Sequence, residues 1–198
     1  MTLNQLNALE LIYNFFYFKL MQENILPTQK DLLRANLPEV DLVNYQIRAV
    51  CVLKSEKING VVYLSEYDGK TTIYGRVTGL TPGKKHGFHI HESGDLSEGC
   101  ASACAHYNPY KKNHGDRTAG ERHVGDLGNL LGDVNGKCRF LFEDYLVKLS
   151  GNYSVIGRSM IIHEDEDDLG LGNHEDSLTT GHAGKRVVCG IIGYRKVC

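Results

Sequence analysis

The stretch Gly87-Phe88-His89-Ile90-His91-Glu92 constrains this chain more than any other. Its two histidines stand two residues apart in a strand-like segment. Strand side chains alternate with period two, so both imidazoles point to one face of a sheet. A strand is stiff, which fixes their separation before any ion arrives. Neutral imidazole suits copper and zinc, so the pair raises a transition-metal site. A same-face histidine pair is also a common polar edge, and the pair alone does not separate the two readings.

Further donors follow along the chain: Cys100, His106, His114, His123 with Asp126, then His163 and Cys189. Six histidines and one aspartate exceed the needs of one four-coordinate ion and match two ions that share a ligand. Seven such residues supply eight bonds if one imidazole is deprotonated and bridges. His106, the first after the pair, is the expected bridge. Four segments then carry a resemblance: Gly87-Phe88-His89-Ile90-His91, Glu121-Arg122-His123-Val124-Gly125-Asp126-Leu127-Gly128-Asn129, Asp167-Asp168-Leu169-Gly170 and Gly184-Lys185-Arg186-Val187-Val188-Cys189-Gly190. In order and with compatible spacing, from about Ala49 to Tyr194, they resemble the signature segments of copper/zinc superoxide dismutases.

The background pattern suits an antiparallel β protein: frequent Gly, no Trp, and short apolar stretches broken by Gly and Asp. From Arg48 the rhythm is period two. Strands are expected over Ala49–Lys54, Val61–Glu66, Ile73–Thr78, the His89 segment, Lys137–Glu143, Met160–His163 and Val187–Tyr194. Asp68-Gly69 and Leu80-Thr81-Pro82-Gly83 supply turns. In Lys137–Glu143, Cys138, Phe140 and Phe142 face one way and Lys137, Arg139 and Glu143 the other. Eight strands with long connections over 92–125 and 164–185 predict an all-β, eight-stranded Greek-key sandwich or flattened barrel. Copper/zinc superoxide dismutase is itself a known example of that architecture. Connections of such length usually carry function.

The resemblance implies one copper and one zinc ion per subunit, and a disproportionation of superoxide into dioxygen and hydrogen peroxide. It places copper on His89, His91, His106 and His163, and zinc on His106, His114, His123 and Asp126. Four N/O ligands close a tetrahedral zinc site, so that ion is expected to be structural and to order its loop. A looser nitrogen set can accept both copper oxidation states. His106 becomes bridge and general acid toward the forming peroxide. Asp167 matches the outer carboxylate that joins His89 to His114, a kind of contact that fixes tautomers. Arg186 matches the substrate arginine, whose fixed donors suit a small anion. Thr180 matches the threonine that narrows the channel opposite it. Cys100 and Cys189 match the family's disulfide; closing a loop of about 100 residues contributes about 4–5 kcal/mol on a chain-entropy model that is disputed. Gly94-Asp95, Ile156-Gly157-Arg158 and Ile191-Ile192-Gly193 resemble the family's twofold interface, implying a homodimer.

Several residues depart from that pattern or fall outside it. Cys104 replaces a position that is commonly Gly, and lies where it could compete for Cys189 or perturb the zinc loop. Cys51 and Cys138 occupy inward strand positions as small hydrophobes, and Cys198 is a terminal thiol. His86 matches an interior histidine that bonds backbone, while His174 and His182 have no assigned role. Superoxide dismutases are a standard instance of electrostatic steering. Here the positions of the steering lysines hold Asp165 and Thr179, inside the acidic run Glu164–Asp168, with Lys185 nearby as a partial offset. A slower encounter and a weak or inverted salt dependence are expected.

Residues 1–48 read as a separate, helical extension before the 49–198 barrel domain. Leu3–Leu20 is apolar but too short and interrupted to span a bilayer. It lacks a basic leader and a small-residue cleavage site, which points to the cytoplasm. Thr28 reads as an N-cap for a short helix that Pro38 ends. The extension lacks the basic polar face that membrane docking needs. A net charge of −2 gives no pull toward nucleic acid or anionic lipid. Two rival functions stand beside the enzyme. A copper-chaperone relative, itself a partner of the true enzyme, predicts missing copper ligands or arginine and an upstream Met-x-Cys-x-x-Cys; residues 1–48 hold no Cys. A metal-binding scaffold without activity predicts nothing the sequence can contradict. Copper delivery by a chaperone is a further expected partnership.

Overall fold

The computed structural model describes residues 47–196. Its strands are β1 Ile47–Lys54, β2 Asn59–Tyr67, β3 Lys70–Thr78, β4 Lys85–His91, β5 Asp126–Leu131, β6 Lys137–Asp144, β7 Ser159–His163 and β8 Arg186–Tyr194. In space they follow the order β5-β4-β7-β8-β1-β2-β3-β6, antiparallel throughout. The sheet curls into a nearly closed barrel with β5 and β6 at its two edges, and the β3–β4 and β6–β7 connections cross from one half to the other. Helix is confined, among the described residues, to a 3-10 turn at Gly99–Ala103 and a single turn α1 at Ser177–Thr180. The expected helical extension and Cys198 lie outside the described residues. No helix among those described is long and apolar enough to cross a membrane.

The alternation read from sequence sets the core. In β1, Ala49, Cys51 and Leu53 are buried while Val52 and Lys54 are exposed. In β6, Cys138, Phe140 and Phe142 pack against the core, and Lys137, Arg139 and Glu143 stand exposed. Phe88 of β4 meets Phe140 of β6 with ring centroids 5.4 Å apart, joining the two halves. Burying a side chain of that size stabilises by about 1.5–3 kcal/mol. Asp68 and Gly69 both take positive φ, 48° and 74°, as a two-residue hairpin between right-twisting strands requires.

Two strands break the alternation, and they position the site. In β7 every residue is buried, and in β4 every residue but Lys85. Phe88, Ile90, Met160 and Ile162 fill the core. His89, His91 and His163 lie on the opposite face, covered by the 92–125 and 164–185 connections. Register shifts between Gly87 and His89, and between Ile162 and His163, re-aim these side chains.

Candidate metal centre

The first long connection returns to β4 and is stitched to its end. Tyr107 N–H donates to Ile90 O at 2.9 Å, Ile90 N–H to Gly125 O at 2.8 Å, and Gly125 N–H to Tyr107 O at 3.0 Å. His106 forms an isolated bridge with His91, and Asp126, the first residue of β5, pairs with His89. Asp126, expected in or just after the loop, thus sits on an eighth strand that the alternation pattern had not located. The second connection folds over the first: His114 N–H donates to Leu178 O at 2.8 Å.

These contacts bring the donor residues into two buried groups that share one member. His89, His91, His106 and His163 form the first; His106, His114, His123 and Asp126 form the second. Within each group the donor atoms lie within 4.8 Å of one another. In the second group, Nδ1 of His106, His114 and His123 approach Asp126 Oδ1 at 3.0, 2.9 and 3.2 Å. A tetrahedral ion with bonds of about 2.0 Å spaces its ligands about 3.3 Å apart, close to these separations. His114 Nδ1 and His123 Nδ1 make no hydrogen bond despite this proximity, because they aim at a common point rather than along a donor–acceptor line. His89 Nδ1 and His106 Nε2 are likewise buried without a partner. In the first group, His91 Nε2 and His163 Nε2 face each other at 3.4 Å. Buried imidazole nitrogens left bare carry a desolvation cost that a bound cation removes, so both donor sets fit metal ions.

The other ring nitrogens set the tautomers. His91 Nδ1–H donates to Cys104 O at 2.9 Å and His163 Nδ1–H to Gly184 O at 3.1 Å, which leaves each Nε2 lone pair inward. His89 Nε2–H and His114 Nε2–H donate to the two oxygens of Asp167 at 2.7 and 2.8 Å. Asp167 is gripped in turn by Asn129, which accepts its N–H and donates to its carbonyl, both at 2.8 Å. Sequence reasoning quoted Asn129 without a role; its place two residues beyond Leu127 in the motif was the available signal. Gly181 is required here, since a Cβ on it would lie 2.0 Å from Asp167 Oδ1.

Electrostatics separate the groups. Burial, followed by repulsion from His106 and its neighbours, pushes His89 and His91 far below the usual histidine range. Burial also lowers His106, and brings His163 down to about 4. These imidazoles are therefore neutral donors at pH 7. For His114 burial opposes protonation, but the Asp126 carboxylate 2.9 Å away and the bond to Asp167 outweigh it and raise the group to about 9. Asp126 remains a carboxylate in the ordinary pH range: burial disfavours its charge, and the close imidazoles of His106, His114 and His123 more than offset that.

Around the first group, Arg186 opens β8 and its Nη1 donates to Cys100 O at 2.6 Å and Ala101 O at 3.2 Å, while Nη2 donates to Cys104 O. Cys100 and Cys189 form a disulfide, so bond and guanidinium together tie the 3-10 turn to β8. Thr180, at the end of α1, is exposed and its hydroxyl bonds Asp176. His86 accepts Thr81 N–H on Nε2 and donates from Nδ1 to His163 O, the backbone contact expected for it. Of the cysteines outside the disulfide, Cys51 is buried, Cys138 half-buried and Cys104 exposed. Burial pushes the Cys51 thiol up to about 12, which makes it inert. His174 and His182 stack face to face at 3.6 Å, with His182 on Asp176. The acidic run is not a bare charge patch: Lys84 pairs with Asp165 at 2.9 Å and Lys85 with Glu166 at 2.6 Å.

Comparisons with known proteins agree in kind. The sequence model of copper/zinc superoxide dismutase matches residues 58–192. The chain is 49% identical over 154 residues to a Cu-Zn superoxide dismutase of Paramecium bursaria Chlorella virus 1, covering 78% of this chain and 82% of that protein. It is 48% identical over 149 residues to an extracellular Cu-Zn superoxide dismutase of Brugia pahangi, covering 73% and 74%. A crystal structure described as that of the clock protein EA4 superposes with a TM-score of 0.74 at 46% identity, covering 76% of this chain and 96% of that one. The chain belongs to the copper/zinc superoxide dismutase family.

Proposed function

We propose that the protein disproportionates superoxide into dioxygen and hydrogen peroxide at the His89–His91–His106–His163 cluster, beside a structural cluster of His106, His114, His123 and Asp126. The observation that carries this reading is the sharing of His106: Nδ1 serves one group, Nε2 the other, and fixed tautomers leave lone pairs aimed inward around both. Copper in the first cluster supplies the alternating one-electron oxidation and reduction that the reaction needs, and zinc in the second fixes the loop. Arg186 binds the anion; three backbone carbonyls hold its guanidinium in one orientation, so charge and alignment arrive together. His106 holds and passes a proton at Nε2. Thr180 narrows the approach, and Asp167 keeps His89 and His114 presenting lone pairs rather than N–H groups.

The assembled protein is a homodimer in this reading. Gly94 packs on Gly157 O so closely that a Cβ would lie 1.9 Å away, Gly157 N–H donates to Ile192 O, and Ile192 N–H to Arg158 O. The three segments thus form one continuous patch. Beside it Ile191 is 48% and Val52 57% exposed. Sedimentation at micromolar protein tests the dimer. Free thiols at Cys51, Cys104 and Cys138 suit a reducing compartment, so we place the protein in the cytoplasm, with fractionation as the check. The buried copper cluster suits delivery by a copper chaperone, which copper uptake with and without such a protein would test.

The test of activity is superoxide decay by pulse radiolysis on protein loaded with both metals. Arg186→Ala should retain copper and lose roughly 10–100-fold in rate, since a fixed charged donor to the anion is gone. The salt slope should be weak, with the acidic run partly neutralised by Lys84 and Lys85. No rate above buffer with both metals bound would favour the scaffold reading.

A further inference from the structure

The carboxylate-containing cluster is enclosed unequally. Asp126 has no exposed surface. His114 is walled in by the second connection, where a Cβ on Gly181 would lie 2.5 Å from its Nε2. His106 and His123 instead line a cleft of about 560 Å³. Its sides come from the first connection, from Asn152 and Tyr153 in the loop before β7, and from Leu178 and Thr179 of α1. Arg186 and Thr180, the residues assigned to the superoxide approach, do not line it. Two rings of the cluster therefore back onto a cleft that borders the superoxide approach at Thr179 but does not include Arg186 or Thr180.

The cleft carries polar residues, and an aromatic contact lies beside it. Glu92, Asn113 and Asn152 offer oxygens along it, able to exchange with water on a partly hydrated divalent ion one at a time. Tyr153 of the lining packs edge-to-face on Tyr110, centroids 5.0 Å apart, which joins the first connection to the loop before β7 beside the cleft. Both rings are substantially exposed, so this contact can open without disturbing the core. Deeper, Arg158 lies 3.6 Å over Tyr107 and donates to Glu92 O, holding the wall in place. Lys112 and Arg158 make the cleft unwelcoming to a bare dication and favourable to an anionic carrier or chelator of it.

We infer that this cleft is the path by which the ion of the His106–His114–His123–Asp126 cluster enters and leaves, with the Tyr110–Tyr153 contact as its gate. The inference rests on the assignment of that cluster as the zinc site. A gate changes both directions of traffic by one factor and leaves the equilibrium alone, whereas a loosened site loses affinity.

The experiment measures zinc release from the fully loaded protein into excess EDTA, zinc uptake by the zinc-depleted protein, and equilibrium affinity. Tyr153→Ala should speed release and uptake equally, by roughly fivefold or more, with affinity and melting temperature unchanged. Lys112→Glu should slow removal by the anionic chelator. Leu171→Ala, an exposed position of the second connection outside the cleft, should change nothing. Unchanged rates in Tyr153→Ala would overturn the path. So would faster release matched by an equal loss of affinity, or equal acceleration by Leu171→Ala. A loaded protein that contains copper but no zinc would instead overturn the site assignment itself.

Discussion

Asp167 spends each of its carboxylate oxygens on a different imidazole, and neither oxygen can be replaced by a donor. Asp167→Asn turns one acceptor into an NH₂ group facing an imidazole N–H. The affected ring must then swap tautomer and present N–H where a lone pair was needed. We expect metal affinity to fall about 10–100-fold, read by competition with a chelator of known affinity. Cys104 poses the opposite problem. It adopts φ 63° and ψ −154°, backbone that glycine tolerates and a β-carbon does not, so that its carbonyl can serve both His91 and Arg186. Cys104→Gly should relieve about 1–3 kcal/mol of strain and give back about 0.5–1 kcal/mol as unfolded-chain entropy. Urea titration should show a net gain in stability. The imidazole donors were legible in the sequence because their chemistry is written in residue type. The carbonyls of Cys100, Cys104 and Gly184 were not, since every residue has one.

At the level of elements, β4 announced itself through His89 and His91, but β5 did not. Asp126-Leu127-Gly128-Asn129-Leu130-Leu131 has no period-two alternation, because the 164–185 connection covers its outer face and Asn129 turns there to bind Asp167. Pairings distant in sequence were equally invisible: Lys84 and Lys85 reach acidic partners 81 residues away, which undercuts a reading of Glu164–Asp168 as uncompensated charge. Another such pair fastens the barrel's two edges. Arg122, just ahead of β5, reaches Asp144 at the end of β6 at 2.6 Å, and also caps the carbonyls of His123, Val124 and Asp126. Asp144 meanwhile accepts the N–H groups of Leu146 and Val147. Arg122→Met strands a buried carboxylate and frees the backbone of residues 123–126. We expect a loss of about 3–5 kcal/mol in denaturant unfolding of the metal-free protein.

Across the whole molecule, the metal-free state should be sensitive to acid. His163 has a folded value of about 4 against about 6.5 when unfolded. Between those values the unfolded chain binds the extra proton, so the stability that His163 contributes is full above about pH 6.5 and declines as pH falls toward 4. His89, His91 and His106 are lowered too and act in the same direction, whereas His114, raised to about 9, contributes stability below about pH 6.5 that is lost toward pH 9. Melting temperature of the metal-free protein should therefore rise with pH from 4 to 6.5; a flat or falling profile would contradict the buried-neutral assignment. The shared imidazole has one more consequence. Because His106 and Asp167 touch both clusters, ions held as proposed would be thermodynamically linked: whatever factor zinc adds to copper affinity, copper must add to zinc affinity. Neither dissociation constant is then a property of its own site, and each has meaning only with the occupancy of the other specified.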